Sequence, residues 1–353
     1  MIKSVNSLRF VFILLVVFSH IYGKAFDFGG ECGVSFFFML SAFILCYAYG
    51  IMVKDGVFRT WHFVKRQLTK FYPLHLLTFF IMVVLDARLG RFFEWYRLLP
   101  NALLLQSWIP DDSFFFVANG SSWFLSDLLF FYVVFAAAYM FLMRVSLPKL
   151  TLLIVVVLAA YLALAFAIPL SKVNAVLYAS PLTRLIDFCI GILTFRFYAS
   201  AVGWRMEEGM QKLSAWVMTT IEVLLIAVVV LSFFVYENMS LRLRCAALFW
   251  CYLPLFILVY FDANYGKGLV TKLLHLPVMQ WLGNISFELY LTHWITMRLI
   301  YSVMLSHGMG EEYRTKLPIV IITLIITIAV SYLTKRFFVD PVGKWLRAKK
   351  NEN

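Results

Sequence analysis

Residues 7–20 read SLRFVFILLVVFSH. The run is apolar apart from an arginine near its start and a histidine at its end. Preceded by Lys3, the stretch from Leu8 to Tyr22 mimics a secretory signal. Nine further apolar segments follow and Arg9 lies inside the first, so a retained membrane helix is the better reading. The composition agrees. The 353 residues are 63% hydrophobic and only 14% charged, and the mean hydropathy is +0.85. An ordinary soluble enzyme is nearer half apolar and a quarter charged, so that class is excluded, as are disorder and a disulfide scaffold.

At about 20 apolar residues per span, the chain is expected to be an all-α polytopic membrane protein of about ten transmembrane helices. They are placed at 8–23, 32–52, 71–87, 122–143, 149–169, 180–201, 214–236, 241–261, 281–305 and 316–338. The basic, amphipathic stretch 58–70 is expected to lie in the interface before the third span. The stretch 92–110 is apolar but carries two prolines, and is read as re-entrant or interfacial. One transmembrane domain over 1–348 and a short polar tail over 349–353 describe the organisation, with no tandem repeat. Cys32, Cys46, Cys189, Cys245 and Cys251 show no C-x-x-C pair and no ligand spacing, so they read as small core residues and no metal is expected.

The net charge of +12 does not point to nucleic acid, because the basic residues are spread over loops between apolar runs. With the N-terminus inside, inside segments carry 19 Lys and Arg, outside segments nine, and three fall within spans. That asymmetry favours an N-in/C-in arrangement. The basic C-terminal stretch from Lys335 suits anionic inner-leaflet lipid.

A charged group inside a span costs roughly 2.5–3.5 kcal/mol on insertion scales and so requires a reason. Arg9 and His20 are eleven residues apart, three turns plus about 20°, so they share one helix face roughly 16 Å apart along the axis. A guanidinium suits phosphate or carboxylate, and a neutral imidazole suits a general base. The structural alternative is an interfacial arginine and a satisfied core histidine. Arg184 and Asp187 stand at i,i+3 and read as a structural ion pair. Glu288, Tyr290 and His293 place polar groups on a late span, and Asp127 follows Trp123 near the outer start of the fourth. Lys65, Arg66 and Lys70 form a basic cluster before span three, fit either for a polyanionic cofactor or for lipid headgroups. Neither a phosphate-binding glycine loop, a G-x-G-x-x-G, a G-x-S-x-G nor an H-E-x-x-H motif is present. Ser41 in FFFMLSAFIL reads as a helix-packing serine.

Six stretches in order resemble the integral-membrane acyltransferases of the acyltransferase-3 type: SLRFVFILLVVFSH with its Arg-ten-His spacing, GVSFFFMLSAFIL, FVKRQLTKFYP, SPLTRLIDFCIG, LGNISFELYLTHW and FFVDPVGKWL. They cover nearly the whole chain. The resemblance implies transfer of an acyl group, usually acetyl, from acyl-CoA to a hydroxyl of a cell-surface or lipid-linked glycan. Acetyl-CoA or another acyl-CoA would be the donor, and the setting a bacterial inner membrane. The family's Arg and His carry over to Arg9 and His20 as catalytic, and its basic motif to Arg66 and Lys70 as the CoA site. There are departures: Gln67 and Lys70 stand where the family often has Arg-x-x-Arg, Ala42 replaces the usual glycine, and Leu128 stands where the family has Glu, beside Asp127. Asp187 and Asp340 replace Glu in kind.

Trp123, Asp127, Glu288 and His293 are the candidates for substrate binding, with Trp108 and Glu31 as further outward-end candidates. A transporter or flippase of lipid-linked or acylated glycan is the alternative, since buried charges also mark transport paths. A glycan polymerase or glycosyltransferase is a third reading, against which the outward loops, short apart from about 88–121, speak.

Overall fold

A bilayer offers no water to peptide groups, so apolar runs of this length must satisfy their own hydrogen bonds as helices. The structure, a computed structural model, describes residues 2–22, 30–247, 262, 266–310, 313 and 316–351. Among these, every regular element is helical. The long helices are α1 (Lys3–Tyr22), α2 (Gly30–Lys54), α3 (Thr60–Arg88), α4 (Trp123–Arg144), α5 (Leu147–Ala167), α6 (Pro181–Tyr198), α7 (Ala215–Glu237), α8 (Ser286–Ser306), α9 (Leu317–Thr334) and α10 (Asp340–Asn351). Seven helices among the described residues are long and apolar enough to cross a membrane, and eight if Leu170–Tyr178 and α6, bent by 43°, count as one span. The protein is thus an all-α polytopic membrane protein.

Two expectations need correction. The basic stretch 58–70 is not a separate interfacial helix: α3 runs unbroken from Thr60 through Pro73. The reason is one buried stripe, Phe63, Gln67, Phe71, Leu74 and Thr78, which continues at i,i+3/i+4 spacing across the basic segment. The span expected at 281–305 is two helices, Pro277–Asn284 and α8, parted at Ile285. Of the span expected at 241–261, Leu241–Ala247 is helical, while 248–261, Cys251 included, lies outside the described residues. The other four cysteines form no disulfide. The stretch 92–110 does not span: Trp95–Ala102 is a short helix, followed by a single 3-10 turn at Gln106–Trp108.

Lipid is as apolar as leucine, so helices associate here through close packing and polar contacts. α2 packs most extensively on α6, and α8 on α9. A Cβ on Gly191 of α6 would lie 2.1 Å from the Met39 carbonyl oxygen, and one on Gly283 would lie 2.2 Å from that of Asn6. Only glycine allows those approaches. Phe12 stacks on Phe36 at 3.5 Å and Phe38 on Phe124 at 4.5 Å, tying α1 to α2 and α2 to α4.

Residues 95–122 close one end of the bundle. His75 Nε2 donates to the Asn101 carbonyl at 3.0 Å, the Tyr72 hydroxyl to the Ala102 carbonyl at 3.0 Å, and the Ser107 hydroxyl to the Trp123 carbonyl at 3.0 Å. Leu104 and Ala118, both buried, sit at φ 57° and 54°. That left-handed conformation is costly for a side chain and marks a segment shaped by its surroundings.

Candidate active site

Three cavities follow one another along the bundle. The first, of about 680 Å³, lies between the start of α3 and the start of α10, with Lys65, Arg66 and Lys70 on one wall and Val339, Asp340 and Gly343 on the other. The i,i+4 spacing of Arg66 and Lys70 sets both on one face of α3. Arg66 donates to the Tyr49 hydroxyl, with its guanidinium 5.4 Å from that ring. Lys70 Nζ lies 3.4 Å from Gln67 Oε1.

The second cavity, of about 520 Å³, shares Lys70 and Val339 with the first. Arg9 of α1 enters it, facing Tyr132 of α4 and Glu288 of α8. Glu288 is 3% exposed and must be compensated. Its Oε1 accepts from Lys335 Nζ at 3.2 Å, and the Arg9 charge acts on it as well. One buried carboxylate thus answers two cations from opposite ends of the chain.

The third cavity, of about 210 Å³, shares Tyr290 with the second. His20, Glu31, Ser121, Trp123, Tyr178 and Trp294 are among its walls. Arg9 and His20 therefore line neighbouring cavities that share a wall residue, Tyr290. His20 Nδ1 lies 3.2 Å from His293 Nε2, and His293 Nδ1 lies 2.6 Å from the Tyr290 carbonyl oxygen. The two imidazoles are 5.2 Å apart with planes inclined by 23°, and Trp294 packs 4.8 Å from His20. The segment Asn119–Ser122 holds this turn of α8 from outside. Asn119 Nδ2 donates to the Leu291 carbonyl at 2.9 Å, and the Tyr290 hydroxyl donates to the Ser121 carbonyl at 2.8 Å.

The remaining candidates have other partners. Asp127 is fully buried, lines none of the three cavities and has Arg184 as its opposite charge. Arg184 donates from Nη1 to Asp187 Oδ2 at 2.9 Å and to Ser35 Oγ at 3.0 Å, and from Nε to the Tyr178 carbonyl at 2.6 Å. Its guanidinium also lies 4.9 Å from the Tyr178 ring, which in turn packs 4.9 Å from Trp123. The pair thus backs the wall of the third cavity. Trp108 is 44% exposed and packs on Phe130. Glu31 accepts from the Tyr236 hydroxyl. The sequence reading missed Tyr132, Lys335, Asn119 and Ser121. The small polar run Asn119–Ser122 just before an apolar span was the one available signal for the last two.

Among the described residues no three His, Cys, Asp or Glu side chains converge as metal ligands would. The arrangement offers instead a basic groove, a buried cation and a histidine pair, joined by shared wall residues.

Comparison with known proteins bears on this arrangement. The family described as "Acyltransferase domain", acyltransferase-3, matches residues 2–336. The acyltransferase MdmB of Streptomyces mycarofaciens is 31% identical over 193 residues, 50% of this chain. The match spans about half the length of that curated relative, 48%. No solved structure matches. The family match covers nearly the whole chain and includes Arg9, His20, Arg66, Lys70, Glu288, His293 and Lys335, though not Asp340, and the chain belongs to the acyltransferase-3 family.

Proposed function

We propose that this protein is a multi-pass membrane O-acyltransferase that moves an acyl group, acetyl as the expected one, from acyl-CoA to a hydroxyl of a cell-surface or lipid-linked glycan. The observation that carries the reading is the succession of three adjoining cavities, with shared wall residues, from Arg66 and Lys70 through Arg9 to His20. The first cavity fits the phosphorylated end of CoA, because three cations line it and Lys70 reaches into the next chamber as well. Acyl-CoA supplies an activated thioester; the rest falls to the chain. Arg66 and Lys70 bind phosphate. Arg9 offers positive charge where oxygen gains negative charge. His20 takes the proton of the acceptor hydroxyl at a ring nitrogen. Trp123, Tyr178 and Glu31 around His20 suit the apolar faces and hydroxyls of a sugar ring.

With the basic groove on the cytoplasmic side, the donor would enter from the compartment that holds it and the His20 chamber would lie deeper in the bilayer. The excess of Lys and Arg in the inside segments supports that orientation, in a bacterial inner membrane. The test is single-turnover transfer from radiolabelled acetyl-CoA, with protein in nanodiscs and a crude surface-glycan extract as acceptor. Label reaches glycan with wild type and is lost with His20→Ala, at unchanged melting temperature. If folded wild type moves no label and binds no acetyl-CoA, the reading fails.

A further inference from the structure

We propose that His293 is a positioning residue that holds His20 in one tautomer, with the proton on Nδ1 and the lone pair on Nε2. The proposal rests on the reading of His20 as the base. A hydrogen bond between two imidazoles needs one donor and one acceptor, and the neighbours decide which is which. His293 Nδ1 lies 2.6 Å from the Tyr290 carbonyl oxygen, which can only accept, so this nitrogen carries a proton. In the neutral ring Nε2 is then an acceptor. At 3.2 Å from it, His20 Nδ1 is the donor. With the ring centroids 5.2 Å apart and the nitrogens 3.2 Å apart, both nitrogens lie between the two rings, so the N–H and the lone pair can meet edge to edge. This contact thus favours a protonated Nδ1 and leaves Nε2 as the basic nitrogen of a ring that lines the third cavity.

The order of control continues outward. The Tyr290 carbonyl that fixes His293 also lies 3.3 Å from the Ser121 hydroxyl, and the Tyr290 side chain is itself tied to Ser121. His293 is fully buried and does not line the third cavity, whereas His20 does. A role through His20 therefore fits His293 better than direct contact with an acceptor.

The experiment compares His293→Leu and His293→Gln, alone and with His20→Ala, in nanodiscs at matched melting temperatures. His293→Leu removes the acceptor and is expected to lower kcat by roughly ten- to a hundredfold, while KM for acetyl-CoA stays within about twofold. His293→Gln, whose amide oxygen can accept from Nδ1, recovers much of the loss. In the His20→Ala background, His293→Leu adds nothing. An added loss in that background, or a rise confined to the acceptor KM, would mean that His293 acts on its own and would overturn the proposal. Nitrogen NMR of ¹⁵N-histidine-labelled protein gives a readout independent of turnover. A proton on Nε2 of His20 overturns the proposal even if His293→Leu is inactive. If instead His20→Ala turns over like wild type, the fault lies with the reading of His20 as base.

Discussion

Gly191→Ala should damage this protein although it adds a single methyl group. The new Cβ would lie 2.1 Å from the Met39 carbonyl oxygen and 2.7 Å from Ala42 Cβ. A carbon and a carbonyl oxygen do not approach closer than about 3.3 Å without strain, so α6 must withdraw from α2 by about 1.2 Å. The oxygen belongs to backbone in mid-helix and cannot swing aside. Overpacking of this kind costs about 1–3 kcal/mol. The same displacement would stretch the bond from Arg184 to Ser35, which crosses the same interface at 3.0 Å. A buried hydrogen bond to a charged group is worth about 1.5–3 kcal/mol. Together these predict a loss of about 3–5 kcal/mol, seen as a drop in melting temperature on the order of 5 °C in detergent. Gly209→Ala is the control. No atom lies within 4 Å of where its methyl would stand, so it should be neutral or slightly stabilising. A Gly191→Ala protein that melts within about a degree of wild type would refute the close approach of α2 and α6.

Two further outcomes follow from the buried charges and the groove. Asp187→Leu strips buried Arg184 of its paired carboxylate and should cost about 3–5 kcal/mol, whereas Asp127→Asn/Arg184→Met/Asp187→Leu, which also neutralises the second buried carboxylate facing Arg184, should regain most of it, as urea or thermal unfolding will show. A single variant as stable as wild type would mean that Ser35, Tyr178 and Asp127 suffice for the guanidinium. Arg66→Ala and Lys70→Ala should each raise KM for acetyl-CoA by roughly tenfold, about 1.4 kcal/mol, with a smaller change in kcat. KM values untouched by either change would move the donor out of this groove.

The fold was legible because a bilayer leaves helix as the one local answer to long apolar runs. The boundaries were less so. The polar residues of 58–70 read as interfacial, because hydropathy averages over all faces of a helix. The buried stripe from Phe63 to Thr78 that makes α3 continuous is visible only by face. At the site, Arg9 and His20 were legible together because their spacing alone sets them on one side of α1. Their partners were not. His293 follows His20 by 273 positions, and Lys335 follows Glu288 by 47. Nothing in local pattern says which late helix α1 will meet. Arg184 and Asp187 could be paired by i,i+3 spacing, yet their contact with Tyr178 behind Trp123 depends on the bend before α6.

The turn at Lys335–Val339 is a π-helix between α9 and α10. Ser331 meets Thr292, Lys335 meets Glu288, and Val339 and Gly343 line the basic groove. Those positions recur every fourth residue, and in an unbroken α-helix each step of four would rotate them by about 40°. The wider turn takes up that drift and keeps four contacts in phase along one line. The C-terminal segment is thereby clocked against α8 and the groove together. Removing one residue from the turn would shift the angular register of everything after it, leaving the membrane contacts of α9 in place while turning Gly343 away from Arg66 and Lys70.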